Sequence, residues 1–172
     1  MSQTAVQETH AERTGLEDLF VRYSPGAVRL AYLMTGDPDL AQDISQEAFV
    51  RVAGRFRHLR WPDAFDAYLR RTVVNLCTSH FRHEKVHRDF IRREAPRTEL
   101  TSEVPDIAIR DELRQALRLL PVRQRAAVVF RYYEDLSEEQ MAGALNCSVP
   151  AARSLLSRGM KTLREAIEGE ER

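Results

Sequence analysis

Four side chains that could bind a metal ion recur at helical spacing in the middle of the chain: Cys77, His80, His83 and His87. Pairs three or four residues apart on one helix can share a metal, so a metal or redox sensor is one hypothesis. The same helix side is apolar, however, and one straight helix rarely gives four ligands to one ion. A packed or partner-facing histidine cluster is the competing interpretation, and we predict no metal site.

Other chemistry is not indicated by the sequence. We find no motif that combines a nucleophile, a base and a group that orients the base, as nucleophilic catalysis requires, and no glycine-rich loop for binding phosphates. We therefore predict that the protein is not an enzyme and binds no cofactor. Cys77 and Cys147 lie 70 positions apart without a CxxC pair, which argues against a disulfide framework. The first 30 residues hold no apolar run after a basic start, and no later window is long enough to cross a bilayer. A cytoplasmic protein without membrane insertion is expected.

Charge is strongly segregated along the chain although the net charge is zero. Residues 34–50 carry four acids and no base, 51–93 carry eleven bases against four acids, and 94–113 carry six acids against two bases. Of the 26 lysines and arginines, 24 are arginine, whose planar fork suits phosphates and base edges. The zero average therefore does not exclude a polyanionic partner for the central block.

The elements that must position these residues are helices. Apolar residues recur at helical spacing almost throughout, and no segment alternates as a strand would, so we predict an all-α fold. Gly36 ends a first helix and Asp37 caps a second, while two prolines and acidic charge mark a linker. The predicted organisation is a disordered tail 1–14, a domain 15–93, an acidic linker 94–106 and a second small domain 107–168.

Two helices of the first domain have contrasting faces. On the helix from Asp37 to about Phe56, one stripe is apolar and another face is acidic. The apolar stripe holds Leu40, Ile44, Ala48 and Val52, and the acidic face Asp39, Asp43, Gln46 and Glu47. The next helix, from about 64 towards 88, buries Leu69, Val73, Leu76 and His80 and exposes a row of Arg71, Asn75, Thr78, Arg82 and Lys85.

The second domain contains a helix-turn-helix pattern. Ser137 to Gln140 reads as a capping box, Asn146 tolerates the left-handed conformation of a turn, and Ser148 can cap the next helix. That helix carries an outer row of Arg153, Ser154, Ser157, Arg158 and Lys161. This layout is typical of a recognition helix on DNA, and the alternative is an amphipathic hairpin with solvated arginines.

The surroundings of this pattern make the interpretation specific. The stretch "LRLLPVRQRAAVVFRYYEDLSEEQMAGALNCSVPAARSLLSR" resembles region 4 of the extracytoplasmic-function (ECF) group of bacterial RNA polymerase sigma factors. Upstream, "GDPDLAQDISQEAFVRVAGRF" resembles region 2.2 and "DAFDAYLRRTVVNLCTSHFRHEK" resembles regions 2.3 and 2.4. The resemblance covers residues from about 16 to 167, and the matching regions follow one another in the same order as in the family. It implies a transcription initiation factor that binds core polymerase and recognises promoters.

The resemblance assigns roles to the first domain. The acidic helix would dock on the clamp helices of the polymerase β′ subunit, whereas the second domain would meet the β flap. The residues that would bind core polymerase are Asp43, Gln46, Glu47 and Phe49. The residues that would recognise and melt the −10 element are Arg57, Arg60, Trp61, Phe65, Arg70, Arg71, Asn75 and Arg82. A solvated acidic face and a core role for Trp61 are the alternatives.

In the second domain the resemblance places Arg153, Ser154, Ser157 and Arg158 on the −35 element and Lys161 on phosphate. The sequence departs from the family at the start of that helix, where Pro150 to Ala152 replace glycine-threonine-valine, and at Leu155, where arginine is frequent. Members are commonly restrained by an anti-sigma factor, which we expect here too. The acidic linker would thread towards the active-site cleft or serve only as a solvated tether. A stand-alone helix-turn-helix regulator is the alternative function.

Overall fold

The computed structural model describes residues 2–56, 62–90 and 111–170, and all regular structure within these ranges is α-helical. The all-α prediction is therefore confirmed for the described residues. In chain order the helices are α1 (Ser2–Thr35), α2 (Pro38–Phe56), α3 (Pro62–Phe90), α4 (Asp111–Leu119), α5 (Val122–Tyr132), α6 (Glu138–Leu145) and α7 (Val149–Glu170). No helix of the described chain combines the length and apolarity needed to cross a membrane. The predicted linker, 94–106, lies outside the described residues.

The N-terminal segment is helical in the structure where the sequence predicted a disordered tail over 1–14. Residues 2–14 were expected to be disordered, yet α1 begins at Ser2 and continues unbroken to Thr35. Up to residue 14 this segment has neither proline nor glycine, and a helix already formed over its packed C-terminal part extends by one hydrogen bond per added residue. Propagation from the packed part accounts for the longer helix.

The junction between α1 and α2 forms as its residues predict. Gly36 adopts a left-handed φ of 68°, and its N–H donates to the carbonyl of Tyr32 at 2.7 Å, which closes α1. The Asp37 carboxylate then accepts from the N–H groups of Asp39 and Leu40, both at 3.0 Å. These contacts fix the sharp reversal that lays α2 against α1.

The first three helices pack around a shared apolar core. Met34 of α1, Ile44 and Val52 of α2, and Leu69 and Val73 of α3 are all buried. The apolar stripes predicted for α2 and α3 thus face inward, although Leu40, Leu76 and His80 are only half-buried. The acidic face of α2 is left outside because it lies opposite this stripe.

The second half, α4 to α7, is organised by caps and one close helix contact. Ser137 accepts from the N–H of Gln140, whose side chain accepts from the N–H of Ser137, so the predicted capping box is present. Asn146 follows α6 in the left-handed conformation, with φ 51°. Gly159 of α7 lies directly against α5, where an added Cβ would stand 2.9 Å from a methyl group of Val128.

The two halves pack on each other, and their buried residues belong to one continuous apolar cluster. α4 and α5 contact α1, while α5 and α6 contact α3. Arg125 of α5 lies at the centre of this contact and is 5% exposed. Its guanidinium donates to the carbonyl of Met34 in α1 and stacks over the ring of Phe81 in α3, 5.3 Å from the centroid.

Candidate nucleic-acid interface

The outer face of α7 presents the residues predicted for the −35 element. α6 and the turn at Asn146 orient α7, while its apolar stripe packs inward through the buried Ala152 and Leu163. The five predicted side chains, Arg153, Ser154, Ser157, Arg158 and Lys161, are all exposed on the outer side. One solvent-facing row of donors is the arrangement that a major groove accepts.

Two arginines of this row are held by neighbours within the chain. The Nε of Arg153 lies 2.5 Å from the carboxylate of Glu138 at the start of α6, although the Arg153 side chain remains 61% exposed. Arg158 donates to the Ser154 hydroxyl at 3.0 Å. Because both pairs are exposed, each is worth little and can exchange for contacts to DNA.

The departures from the family pattern have a structural basis. Ala152 is fully buried, so this position serves the core. Leu155 is half-buried and packs against the apolar cluster, at the edge of the outer row. Pro150 occupies the first turn of α7, where its missing N–H costs nothing. The helix therefore keeps its N-terminus without the usual residues, and Leu155 contributes no donor.

A basic groove runs between α2 and α3 and encloses about 370 Å³. It is lined by Arg51, Val52, Arg55, Tyr68, Arg71, Thr72, Asn75, Leu76 and Ser79. Three guanidinium groups supply positive charge, and the side chain of Tyr68, which is 40% exposed, supplies an aromatic face. Cationic and aromatic side chains along one groove are the combination that binds an unpaired nucleic-acid strand.

The structure places the residues predicted to contact the −10 element in different surroundings. Arg71 and Asn75 line the groove, and Arg82 is exposed further along α3. Arg70 forms ion pairs with Asp66 at 2.7 Å and with Glu134 of the second half at 3.1 Å. Three others, Arg57, Arg60 and Trp61, lie outside the described residues.

Phe65 was predicted to contact the −10 element, and the structure corrects this prediction. Its side chain is fully buried, and its ring lies 5.5 Å from the rings of Tyr23 and Phe49. An aromatic ring that fills the core between three helices offers no face to a base. Sequence alone did not separate these roles because Phe65 stands close to the basic block and to Trp61.

The acidic face of α2 is open to solvent. Asp43, Gln46 and Glu47 are exposed, and Glu47 pairs with Arg51 at 2.5 Å. Phe49 lies half-buried beside this face, with its ring centroid 4.9 Å from that of Phe20 and the two rings nearly perpendicular. The arrangement offers negative charge next to a packed aromatic ring, as a docking surface for a basic protein partner would require.

The cysteine and histidine residues do not gather into a metal site among the described residues. Cys77 is fully buried, and burial raises the pKa of its thiol to about 12. His83 is exposed, while the Nε2 of His80 lies 3.6 Å from Glu84. A fully buried thiol with a raised pKa is a poor redox nucleophile, which argues against a redox sensor built on Cys77.

The structure brings residues to the candidate site that sequence reasoning did not place there. Arg51, Arg55 and Tyr68 line the groove but were not placed in the −10 set. The spacing of the two arginines, four positions apart at the end of α2, was the available signal. Arg125 was given no role, although an arginine directly before the apolar run of α5 is unusual and indicates a buried partner.

Comparisons with known proteins agree with this architecture. The family model of Sigma-70 region 2 matches residues 19–86, and that of Sigma-70, region 4 matches 110–163. The chain is 32% identical over 168 residues to an RNA polymerase sigma-E factor of Streptomyces avermitilis, covering 92% of this chain and 88% of the relative. It is 29% identical to the ECF RNA polymerase sigma factor SigE of Mycolicibacterium smegmatis, covering 95% and 67%.

A solved structure shares the fold. The sigma factor RpoE of Bartonella quintana, in complex with the anti-sigma factor NepR, superposes with a TM-score of 0.72 at 17% identity, over 88% of this chain and 96% of that one. The chain belongs to the ECF group of the sigma-70 family of RNA polymerase sigma factors. Its function is that of an alternative sigma factor in transcription initiation. The relatives give no support to a stand-alone regulator.

Proposed function

We propose that this sigma factor divides promoter selection between the basic groove and the outer face of α7, and that it performs no catalysis of its own. It acts in the cytoplasm, where its polymerase is. The observation that carries the proposal is the pairing of a cationic, aromatic-lined groove on α2 and α3 with a capped helix-turn-helix in α6 and α7. Region 2 extends over 15–93 and region 4 over 107–168, joined by the acidic linker 94–106.

The groove takes the separated strand of the −10 element. Arg71 and Asn75 contact this strand from α3, and Arg51 and Arg55 bind its phosphates from α2. Tyr68 supports an unpaired base by stacking, which is worth about 1–3 kcal/mol per base. Arg70 and Arg82 of α3 belong to the same contact set. Arg57, Arg60 and Trp61, which lie outside the described residues, are assigned to it by the family resemblance alone.

The −35 element is read by α7. Arg153 and Arg158 contact base edges, Ser154 and Ser157 accept or donate beside them, and Lys161 binds phosphate. This surface lacks the guanidinium that the family often has at the position of Leu155, so we expect one base or phosphate contact fewer. The −35 preference of this protein therefore differs from the family's usual one.

The acidic face of α2 holds core polymerase. Asp43, Gln46 and Glu47 dock on the β′ clamp helices. Phe49 holds α2 in position through its ring contact with Phe20 of α1. Region 4 meets the β flap. An anti-sigma factor restrains the protein, by analogy with the solved sigma factor that is bound to NepR.

A transcription assay with core RNA polymerase tests this function. Core plus this protein should start transcripts on a subset of genomic fragments, whereas core alone should not. Arg153→Ala should reduce these transcripts on the order of tenfold, since one good base contact is worth about 1–3 kcal/mol. Arg164→Ala is the matched control, because Arg164 is an exposed arginine of the same helix outside the predicted row. Absence of any specific transcript, or equal losses in both variants, would refute the assignment.

A further inference from the structure

Arg153, in the outer row of α7, is held by a side chain of α6. Its Nε donates to a carboxylate oxygen of Glu138 at 2.5 Å, and Glu138 is the first residue of α6, 15 positions earlier in the chain. The contact adds little to stability, because both side chains remain partly exposed. What it fixes is the direction of the Arg153 guanidinium on the face that is proposed to read the −35 element.

The backbone that carries Glu138 is anchored on both sides. Ser137, directly before it, is the N-cap residue of α6 and forms the capping box with Gln140. Leu136 is buried, and its carbonyl accepts from the guanidinium of Arg131 at 3.1 Å. A negative charge in the first turn of a helix is also favoured by the helix dipole. The Glu138 carboxylate therefore extends towards Arg153 from a fixed support.

The contact with Glu138 leaves the end of the Arg153 guanidinium available. A guanidinium carries its N–H donors in a rigid planar fork. Glu138 engages Nε, and no other group in the described parts of the chain accepts from Nη1 or Nη2 of Arg153. The two terminal groups point the same way and match the O6 and N7 acceptors of guanine in the major groove. Adenine presents a donor beside N7, so the same pair of groups disfavours it.

The other two cations of the row are arranged differently. Arg158 donates from Nε to the carbonyl of Ser154 at 3.2 Å and from Nη2 to its hydroxyl at 3.0 Å, so its fork is folded back along α7. Lys161 lies 3.9 Å from Glu165 and is a point charge, which suits a phosphate better than a base edge. Of these three described cations, Arg153 is the one with both terminal N–H groups presented for a base.

We propose that Glu138 is a positioning residue for promoter recognition, which holds Arg153 so that Nη1 and Nη2 donate to O6 and N7 of one guanine in the −35 element. The inference rests on the proposed function, because Arg153 meets the −35 element only under that assignment. Arg153 keeps its contact with Glu138 on DNA, since the base uses different donors, and exclusion of water by the DNA strengthens that contact. The carboxylate also repels phosphates, which keeps this arginine directed at the bases.

Base preferences of the holoenzyme test this role. A promoter on which core plus this protein starts a transcript is randomised across its upstream element, and the bound fragments are sequenced. Wild type should prefer guanine at one position by on the order of tenfold, and R153A should lose that preference. Glu138→Gln keeps the shape and removes the charge, so it should relax the same position to about two- to threefold, because a neutral acceptor holds a guanidinium more weakly.

Glu165→Gln is the matched control. It removes the same charge from the same helix-turn-helix surface, where Glu165 lies beside Lys161. This variant should keep every base preference. Preferences are compared rather than total affinities, because removal of any acidic charge strengthens binding to all DNA. Retention of the preferences at other positions shows that E138Q is folded.

A double-mutant cycle and two base analogues separate positioning from a structural role. In the R153A background, E138Q should change nothing at the guanine position, because Glu138 acts through Arg153. A structural role would instead reduce preference at all positions in both backgrounds. Replacement of the guanine by 7-deazaguanine, which lacks the N7 acceptor, should weaken binding of wild type by on the order of tenfold and leave R153A unchanged. Inosine keeps O6 and N7 and should bind wild type as guanine does.

Three results would overturn the positioning role. The first is a guanine preference that persists in E138Q, and the second is a loss spread evenly over all positions. The third is an R153A variant that weakens all sequences alike and lowers the salt slope of binding by about one, since that makes Arg153 a phosphate contact. Specific transcripts without any base preference that depends on Arg153 defeat only this inference, whereas the absence of any transcript with core polymerase defeats the proposed function.

Discussion

The guanidinium of Arg125 in α5 donates a hydrogen bond to the backbone carbonyl of Met34, in the last turn of α1. The same side chain donates to the carbonyls of Arg118 at 3.1 Å and Leu120 at 3.2 Å, at the end of α4. One buried arginine therefore satisfies the C-terminal ends of two helices that belong to different halves of the chain. Burial lowers the pKa of Arg125 to about 10, which leaves it charged at neutral pH.

Removal of this side chain should destabilise the protein strongly. We expect Arg125→Ala to lower the free energy of unfolding by about 3–5 kcal/mol, because the carbonyls of Met34, Arg118 and Leu120 lose this donor, and the bonds to Met34 and Leu120 are buried. Arg123→Ala is the matched control, since Arg123 is exposed and donates to the carbonyl of Leu145 at 2.9 Å. That variant should cost about 0.5–1.5 kcal/mol. Urea unfolding measures both, and equal losses would contradict the central role of Arg125.

The contact of α7 with α5 should not tolerate a side chain at Gly159. An added Cβ would stand 2.9 Å from Val128 and 3.1 Å from the carbonyl of Gln124. Gly159→Ala should therefore cost about 1–3 kcal/mol through overpacking, against a gain of about 1 kcal/mol in helix propensity. Gly143→Ala should stabilise by about 0.5–1 kcal/mol, because Gly143 is an exposed helical position where an added Cβ would meet no atom within 4 Å beyond its chain neighbours and its own helix backbone. Thermal unfolding of the two variants should shift in opposite directions; a shift in the same direction would refute the contact.

The thiol of Cys77 should not react with thiol reagents while the protein is folded. A thiol reagent should modify Cys147, which is half-buried, and reach Cys77 only in denaturant. Two reactive thiols in the folded protein would contradict its burial.

Burial of Cys77 also predicts a pH dependence. The pKa of its thiol is raised from 9.0 to about 12, so the stability linked to this group is complete below pH 9 and is lost as the pH rises towards 12. Cys77→Ala should show a smaller loss of stability across that interval in urea titrations. Identical slopes for the two proteins would argue against the raised pKa.

The acidic face of α2 should control affinity for core polymerase. Reversal of Asp43 and Glu47 to arginine should weaken binding to core by at least on the order of tenfold, since like charges placed at an interface cost several kcal/mol. The fold should survive, because both side chains are exposed. Reversal of Glu17 and Asp18, also exposed acids of the first half, is the control and should leave affinity unchanged. Co-purification with core measures both, and normal binding by the first variant would refute the docking surface.

Local features of this fold were predictable from the sequence. The left-handed Gly36, the Asp37 cap, the capping box at Ser137 and the left-handed Asn146 all formed as expected. Each depends on hydrogen bonds that span at most four residues, so the types of adjacent residues are sufficient to specify it. The exposed row of α7 follows for the same reason, because helical periodicity fixes which side chains share a face.

Other features depend on which helices meet. Phe65 and Trp61 are both aromatic residues near a basic block, and only the packing of α1 on α2 and α3 shows that Phe65 fills the core. The basic groove joins Arg51 and Arg55 to residues of the next helix. Its composition depends on the contact between two elements, which periodicity within either helix does not specify.

The sequence by itself determined the family, the helices, their caps and the two surfaces rich in charge, because these properties reside in local patterns and in motifs read in order. The tertiary structure alone decided how the halves meet. Arg71 reaches Asn146 across 75 positions, and Arg125 reaches Met34 across 91. Contacts at such separations leave no periodic trace in the chain, since they arise only after the helices have packed and brought distant side chains together.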